Sequence, residues 1–178
     1  MQVRSGSILI ADPVHADSEH TKSIVLITES TEYSTLGLTL NCISHYNMSV
    51  LMKQHDVEWP YDNTVYTGGA YNPGSLIMLH SDDWYSSNTM YVDSGFSISS
   101  DMVMLEKLEV GNAPSWHKMY LGCEYWQPEQ LEWELRKSNP KWLVLPYPSQ
   151  VLIELTDPDD QWRAAVDEYS QELFRNYF

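Results

Sequence analysis

His80, followed by Asp82 and Asp83, is the grouping in this chain closest to acid–base machinery. An imidazole titrates near neutral pH, and a nearby carboxylate can orient the ring for proton transfer. The plainer expectation is a histidine satisfied by a local backbone or carboxylate partner. Gly68, Gly69 and Gly74 gather glycine as a phosphate-cradling loop does. The Gly-Lys-Ser/Thr ending that carries a lysine to the phosphates is missing, and tight-turn geometry is the simpler reading. Cys42 and Cys123 fit no CxxC or Cys-His spacing, and their apolar or acidic neighbours raise a thiol pKa, so both are expected to be buried structural thiols. His15 and His20 enclose Asp17 and Glu19, too few ligands at too loose a spacing for zinc. Asp157, Asp159 and Asp160 are explained by helix capping. Gln130 and Glu132, just after Trp126, are the sharpest local signal. They fit either a strand-to-helix corner in which Gln130 serves the helix start, or the rim of a polar pocket. None of these patterns calls for a cofactor or a metal.

The elements that must position these residues are short and mixed. Ser7 to Ala11 and Ser23 to Thr28 are apolar, β-branched runs that read as buried strands, and Leu36 to Cys42 as a third. Ser49 to Lys53 begins a short helix. Ser75 to His80 and His117 to Cys123 read as further strands. Asp101 is placed to cap a helix from Met102 that ends near Gly111. Pro128 opens a helix over Glu129 to Lys137, with Leu131 and Leu135 on one face. Trp142 to Leu145 and Val151 to Leu155 are expected as strands around a proline-rich turn. Asp157 caps a last helix whose stripe is Trp162, Val166, Tyr169 and Leu173. Ser81 to Ser100 is the least ordered stretch by composition. Without regular βαβ alternation, the pattern is α+β.

The 178 residues fit one domain, 1–178. Ten basic residues face 25 acidic ones, a formal charge of −15 that repels polyanions. The cations are scattered, so direct nucleic-acid binding is disfavoured. No apolar run approaches the ~20 residues that span a bilayer, and no signal peptide is evident, so a cytoplasmic protein with reduced thiols is expected. Tyr125, Trp133, Tyr147, Tyr169, Tyr177 and Phe178 concentrate in the C-terminal third, where core packing and a partner surface compete to explain them.

Several blocks together resemble the AlgH/YqgE family: Gly6-Ser-Ile-Leu-Ile-Ala-Asp-Pro13, Lys22-Ser-Ile-Val-Leu-Ile27 and Leu36-Gly-Leu-Thr-Leu-Asn41. They are followed in order by Gly68-Gly69, Leu79-His80, Gly122-Cys-Glu-Tyr-Trp126, Gln130-Leu-Glu132 and the helix at Trp162 to Ala165. Cys42-Ile43 replace the family's basic residue and proline. Ala70 stands where proline usually follows the paired glycine, and Glu129 where glycine is usual. The resemblance implies a strongly bent, partly barrel-like sheet flanked by helices, in a family carrying the label of transcriptional regulators and no established catalytic residues. The expectation is a non-enzymatic regulatory or adaptor domain acting on a protein partner. The alternative is a small-molecule enzyme or sensor whose ligand residues are drawn from Asn41, Gly68, Gly69, His80, Gln130 and Glu132.

Overall fold

The computed structural model describes residues 3–177. Its strands are β1 (Ile8–Ala11), β2 (Ile24–Ser30), β3 (Thr35–Thr39), β4 (Ile43–Asn47), β5 (Thr64–Thr67), β6 (Tyr71–Ser81), β7 (Met90–Tyr91), β8 (Phe96–Ser99), β9 (His117–Trp126) and β10 (Trp142–Leu145). The helices are α1 (Met48–Lys53), α2 (Met102–Glu109), α3 (Gln130–Arg136), α4 (Gln150–Glu154) and α5 (Pro158–Tyr177). The strands form one sheet in the order β10-β1-β2-β3-β9-β6-β8-β7, with β4 and β5 branching from β9. Every pairing is antiparallel except β5 with β9.

The long strand β9 is the hub. Its Met119–Leu121 segment pairs with β5, its Glu124–Trp126 end with β3, and β6 runs along most of its length. A strand that must satisfy different neighbours along its length twists and bends. Irregularities in β6 between Tyr71 and Leu76, and in β2 between Ile27 and Glu29, add curvature. The outcome is a curled half-barrel with helices packed around it, the α+β architecture expected.

Both faces of the sheet are covered. Along β1, Ile8 and Ile10 enter one core while Leu9 and Ala11 enter another, which is why the run is continuously apolar. The first core also holds Leu152, Ile153 and Ala165 from α4 and α5. The second joins Trp126, Leu131 and Trp142 around α3. A methionine-rich third core, with Met48, Met52, Met78, Met104 and Met119, seats α1 and α2. No helix among the described residues is long and apolar enough to cross a membrane.

Two segments differ from expectation. Val151 to Leu155 lies within and just after α4 rather than in a strand. Ser149 accepts the Leu152 N–H at 3.2 Å as a helix cap, and only Leu152 and Ile153 of the helix are buried. A five-residue stretch with four apolar residues does not distinguish a buried strand from a short helix. The stretch from Ser81 to Ser100 carries β7 and β8. It is ordered by side-chain hydrogen bonds: the Ser86 hydroxyl donates to Asp101 at 2.5 Å, and the Asn88 side-chain amide donates to the Ser100 carbonyl and accepts the Ser100 N–H. The caps foreseen at Asp101 and Asp157 are present, receiving the N–H groups of Met104 and Asp160.

Candidate functional site

His80 sits on β6 with no exposed surface. Its Nδ1–H donates to the Ser81 carbonyl at 2.8 Å, which leaves Nε2 to accept the Ser99 hydroxyl at 2.9 Å. Thr89 donates in turn to Ser99 at 2.7 Å, and the Trp84 ring meets the imidazole edge-on at 5.2 Å. Burial lowers the His80 pKa, against weaker opposing effects of the Ser81 carbonyl, Asp83 and Asp82. A serine hydroxyl on a histidine nitrogen is a nucleophile–base geometry. Here Ser99 is 1% exposed, so the pair is sealed from solvent and works as a satisfied polar link between β6 and β8. Asp83 serves a different hydroxyl, that of Ser81, at 2.6 Å.

Asn41 joins three elements. Its Oδ1 accepts the Ile24 N–H at 3.1 Å, and its Nδ2 donates to the carbonyls of Lys22 (2.8 Å) and Pro158 (3.3 Å). It therefore fixes the start of β2 against the start of α5. Gly68 and Gly69 are buried where the β5–β6 link passes β9. A Cβ on Gly68 would lie 2.3 Å from the Gly122 carbonyl oxygen, and one on Gly69 2.2 Å from the Cys123 carbonyl carbon. The glycines allow two backbones to touch, a demand that by itself accounts for the pair.

At the α3 corner, Gln130 accepts the Gln127 N–H at 3.0 Å and donates to Glu134 at 3.2 Å. Glu129 is not the first helical residue. It holds φ +62° in the left-handed region, and α3 begins one residue later. Glycine adopts that conformation without a Cβ penalty, which explains the glycine usual at this position in the resembled family. Glu129→Gly is therefore expected to raise unfolding free energy by about 0.5–1 kcal/mol, read by urea denaturation. A loss of stability would show that the glutamate has an unrecognised stabilising contact.

Asn41, His80 and Gln130 thus spend their polar atoms in three separate networks, and the structure does not gather them around one ligand space. Glu132 is placed differently: it borders a groove of about 370 Å³. Leu135 and Arg136 of α3 form one wall, Tyr169, Glu172 and Leu173 of α5 the other. Trp142, Leu143 and Val144 of β10 lie along the floor. The strand β10 ends the sheet, with β1 as its sheet neighbour. Beyond the groove, Trp133 is 63% exposed, Tyr147 69% and Tyr177 79%. Phe178, grouped with these aromatics in the sequence, lies outside the described residues. The apolar α5 stripe foreseen in the sequence splits in two. Ala165 is buried and Trp162 and Val166 pack on the first core, whereas Leu173 stays 41% exposed.

The cysteines differ from one another. Cys123 is buried, and burial together with Glu124 raises its pKa, whereas Cys42 is exposed, contrary to expectation. Cys42 begins the turn into the exposed strand β4, where its carbonyl accepts the Thr67 N–H. His15 and His20 pair with Asp12 (3.1 Å) and Asp17 (2.6 Å). The residue that sequence reasoning passed over is Lys118, counted there among scattered cations. It is buried in β9, and a charged residue inside the run from His117 to Cys123 was the available signal.

A curled, open, mainly antiparallel sheet flanked by helices defines an α+β half-barrel protein. Residues 8–173 match the AlgH-like family (DUF179), and the chain belongs to that family. A UPF0301 protein of Xanthomonas euvesicatoria pv. vesicatoria (strain 85-10) is 29% identical over 175 residues, covering 96% of this chain and 92% of its own. One of Xanthomonas oryzae pv. oryzae (strain PXO99A) is also 29% identical over 175 residues, with the same coverage. Among solved structures, the AlgH protein of Pseudomonas aeruginosa superposes with a TM-score of 0.78 at 24% identity, covering 94% of this chain and 92% of that one. A protein of Corynebacterium diphtheriae reaches 0.69 at 22% identity, covering 91% and 85%. At these identities the structural likeness establishes the fold.

Proposed function

We propose that this protein is a non-enzymatic regulatory or adaptor domain that acts through protein contact, with the groove between α3, β10 and α5 as its contact site. The observation carrying this is an apolar groove that no element of the described chain fills, with exposed aromatic side chains on or next to the elements that form it: Trp133 on α3, Tyr147 after β10 and Tyr177 on α5. Exposed apolar surface bordered by polar residues marks interaction sites, and aromatic side chains dominate their energetics. The partner's chemistry follows from charge. Helix α5 carries five carboxylates against two arginines, and Glu132 and Glu172 border the groove beside one arginine, Arg136. A partner segment with apolar anchors and basic flanks suits this surface. Such a segment on a nucleic-acid-binding protein would let this domain compete with nucleic acid, consistent with a regulatory role and with the overall charge of −15. The alternative, an enzyme or sensor built on Asn41, Gly69, His80 and Gln130, has less support because those side chains serve separate structural networks.

The test is affinity capture with matched baits. Proteins retained by the wild type are expected to be basic and to be lost with Leu173→Asp, by about 30-fold or more, as for an anchor worth ~2 kcal/mol. They are expected to persist with Val110→Glu, which alters an exposed residue beside α2. Equal retention by both variants would remove the groove as the contact site.

A further inference from the structure

A second concavity, of about 430 Å³, opens beside β9, between β4, β5 and the loop after α4. Ile43, Tyr66, Trp116 and Met119 give it apolar walls, and Asp62, Thr64, His117, Lys118 and Thr156 supply its polar groups. This volume is within the range of small-molecule sites. The unusual member is Lys118, only 7% exposed yet part of the lining. Its ammonium donates to the Leu155 carbonyl and lies over two rings, 5.1 Å from the Tyr66 centroid and 5.6 Å from Trp116. It forms no ion pair among the described residues, and Glu154 acts on it only through space. A buried cation without a paired anion is costly. One carbonyl and two ring faces hold the ammonium in place while leaving its charge uncompensated.

We infer that this cleft binds a small organic monocarboxylate, its carboxylate on the Lys118 ammonium and its apolar body against Trp116 and Tyr66. The charge balance selects a monoanion. Asp62 lines the same cleft, and Glu154 is near enough to act on Lys118, so a dianionic phosphate meets two carboxylates for a single cation. The walls select an apolar, flat body, which stacks on aromatic faces. Burial lowers the pKa of Lys118 to about 8, with Glu154 opposing, so the amine remains mostly protonated at neutral pH. Burial and the nearby His80 lower the His117 pKa while Asp62 raises it, so His117 adds little positive charge at neutral pH. This inference uses a different face of the molecule from the α3–β10–α5 groove, and either one can fail without the other.

The experiment is an NMR titration of the full chain with benzoate, benzyl alcohol and inorganic phosphate, following the Met119 methyl and the Lys118 ε-methylene. Benzoate is expected to give saturable shifts centred on these groups. Lys118→Met is expected to weaken benzoate by about tenfold or more, the worth of one hydrogen-bonded charge. Asp62→Asn, which removes a competing negative charge and keeps Lys118, is expected to tighten it several-fold. Benzyl alcohol binding as well as benzoate, phosphate binding more tightly than benzoate, or no saturable response to benzoate would each overturn the inference.

Discussion

Gly122→Ala is expected to abolish most of the native stability of this protein. Gly122 lies in β9 at φ +70°, and an added Cβ would stand 2.4 Å from the Gly69 carbonyl oxygen and 3.0 Å from that of Tyr71. Left-handed backbone costs an ordinary residue ~1–2 kcal/mol. The overlap is with main chain and cannot be relieved by turning a side chain. Relief requires moving β9 away from the β5–β6 link, and β9 is the strand to which β3, β5 and β6 all attach. A loss of about 4 kcal/mol or more is expected, comparable with the whole stability of a marginal domain at ~5 kcal/mol. Gly74→Ala is the matched control, because nothing lies within 4 Å of its added Cβ. That variant should be neutral or more stable by up to ~1 kcal/mol. Chemical denaturation separates the two. If Gly122→Ala proved as stable as the wild type, the glycine crossing would not be a packing requirement, and a ligand role for Gly68 and Gly69 would gain ground.

Lys118→Met is expected to raise stability at pH 7 and to remove a pH dependence that the wild type shows in alkali. The folded pKa is lowered from 10.5 to about 8, chiefly by burial. Below about pH 8 the amine is protonated in both folded and unfolded chains, and the penalty for the buried charge is fully present. Between about 8 and 10.5 the folded chain has released the proton while the unfolded chain keeps it. The unfolded state then binds more protons, so unfolding free energy rises with pH. The full rise is on the order of 3 kcal/mol. Above pH 10 the tyrosines reverse the trend. Burial raises the pKa of Tyr66 and of Tyr120, so the folded state holds protons that the unfolded state loses. The useful window is therefore pH 8 to 10. Cys123, whose pKa burial and Glu124 raise from 9.0, opposes the rise equally in both proteins, so the readout is their difference. Across the window the wild-type urea midpoint should gain on that of Lys118→Met, which should begin higher, since a buried unpaired charge is replaced by an apolar side chain of similar length. A difference that stays constant across the window would show that the lysine is already neutral, or solvated, at pH 7.

Much of the sheet was legible because its strands are written as short apolar runs. Ile8–Ala11, Ile24–Ile27 and Trp142–Leu145 are apolar on both faces, and both faces are covered in the structure. Strand β4 was invisible for the opposite reason. Ile43–Asn47 is mostly exposed at the margin of the sheet and carries no alternation. The helix α4 was misread because five residues are too few to show a period, and its deciding feature is one serine cap. Strands β7 and β8 follow from hydrogen bonds among Ser86, Asn88, Thr89, Ser99 and Asp101, a network set by three-dimensional placement rather than by pattern. For the sites, residue type pointed to His80 and Gln130 and the family resemblance to Asn41, and the fold spends the polar atoms of all three on structural hydrogen bonds. The groove joins α3, β10 and α5, and it forms only where their side chains meet in the fold, so no local motif marks it. Lys118 was the one residue whose context in an apolar strand was informative.

Contact through the α3–β10–α5 groove is tested most directly by site-specific photo-crosslinking in cells. A photoreactive amino acid is placed in turn at Leu173, on the groove wall, and at Val110, exposed beside α2. Crosslinks from position 173 should converge on one or a few basic proteins that position 110 does not capture, and a Tyr169→Ala change in the same chain should suppress them. Equal crosslinking from both positions, or none from 173, would contradict a regulatory role exercised through this groove.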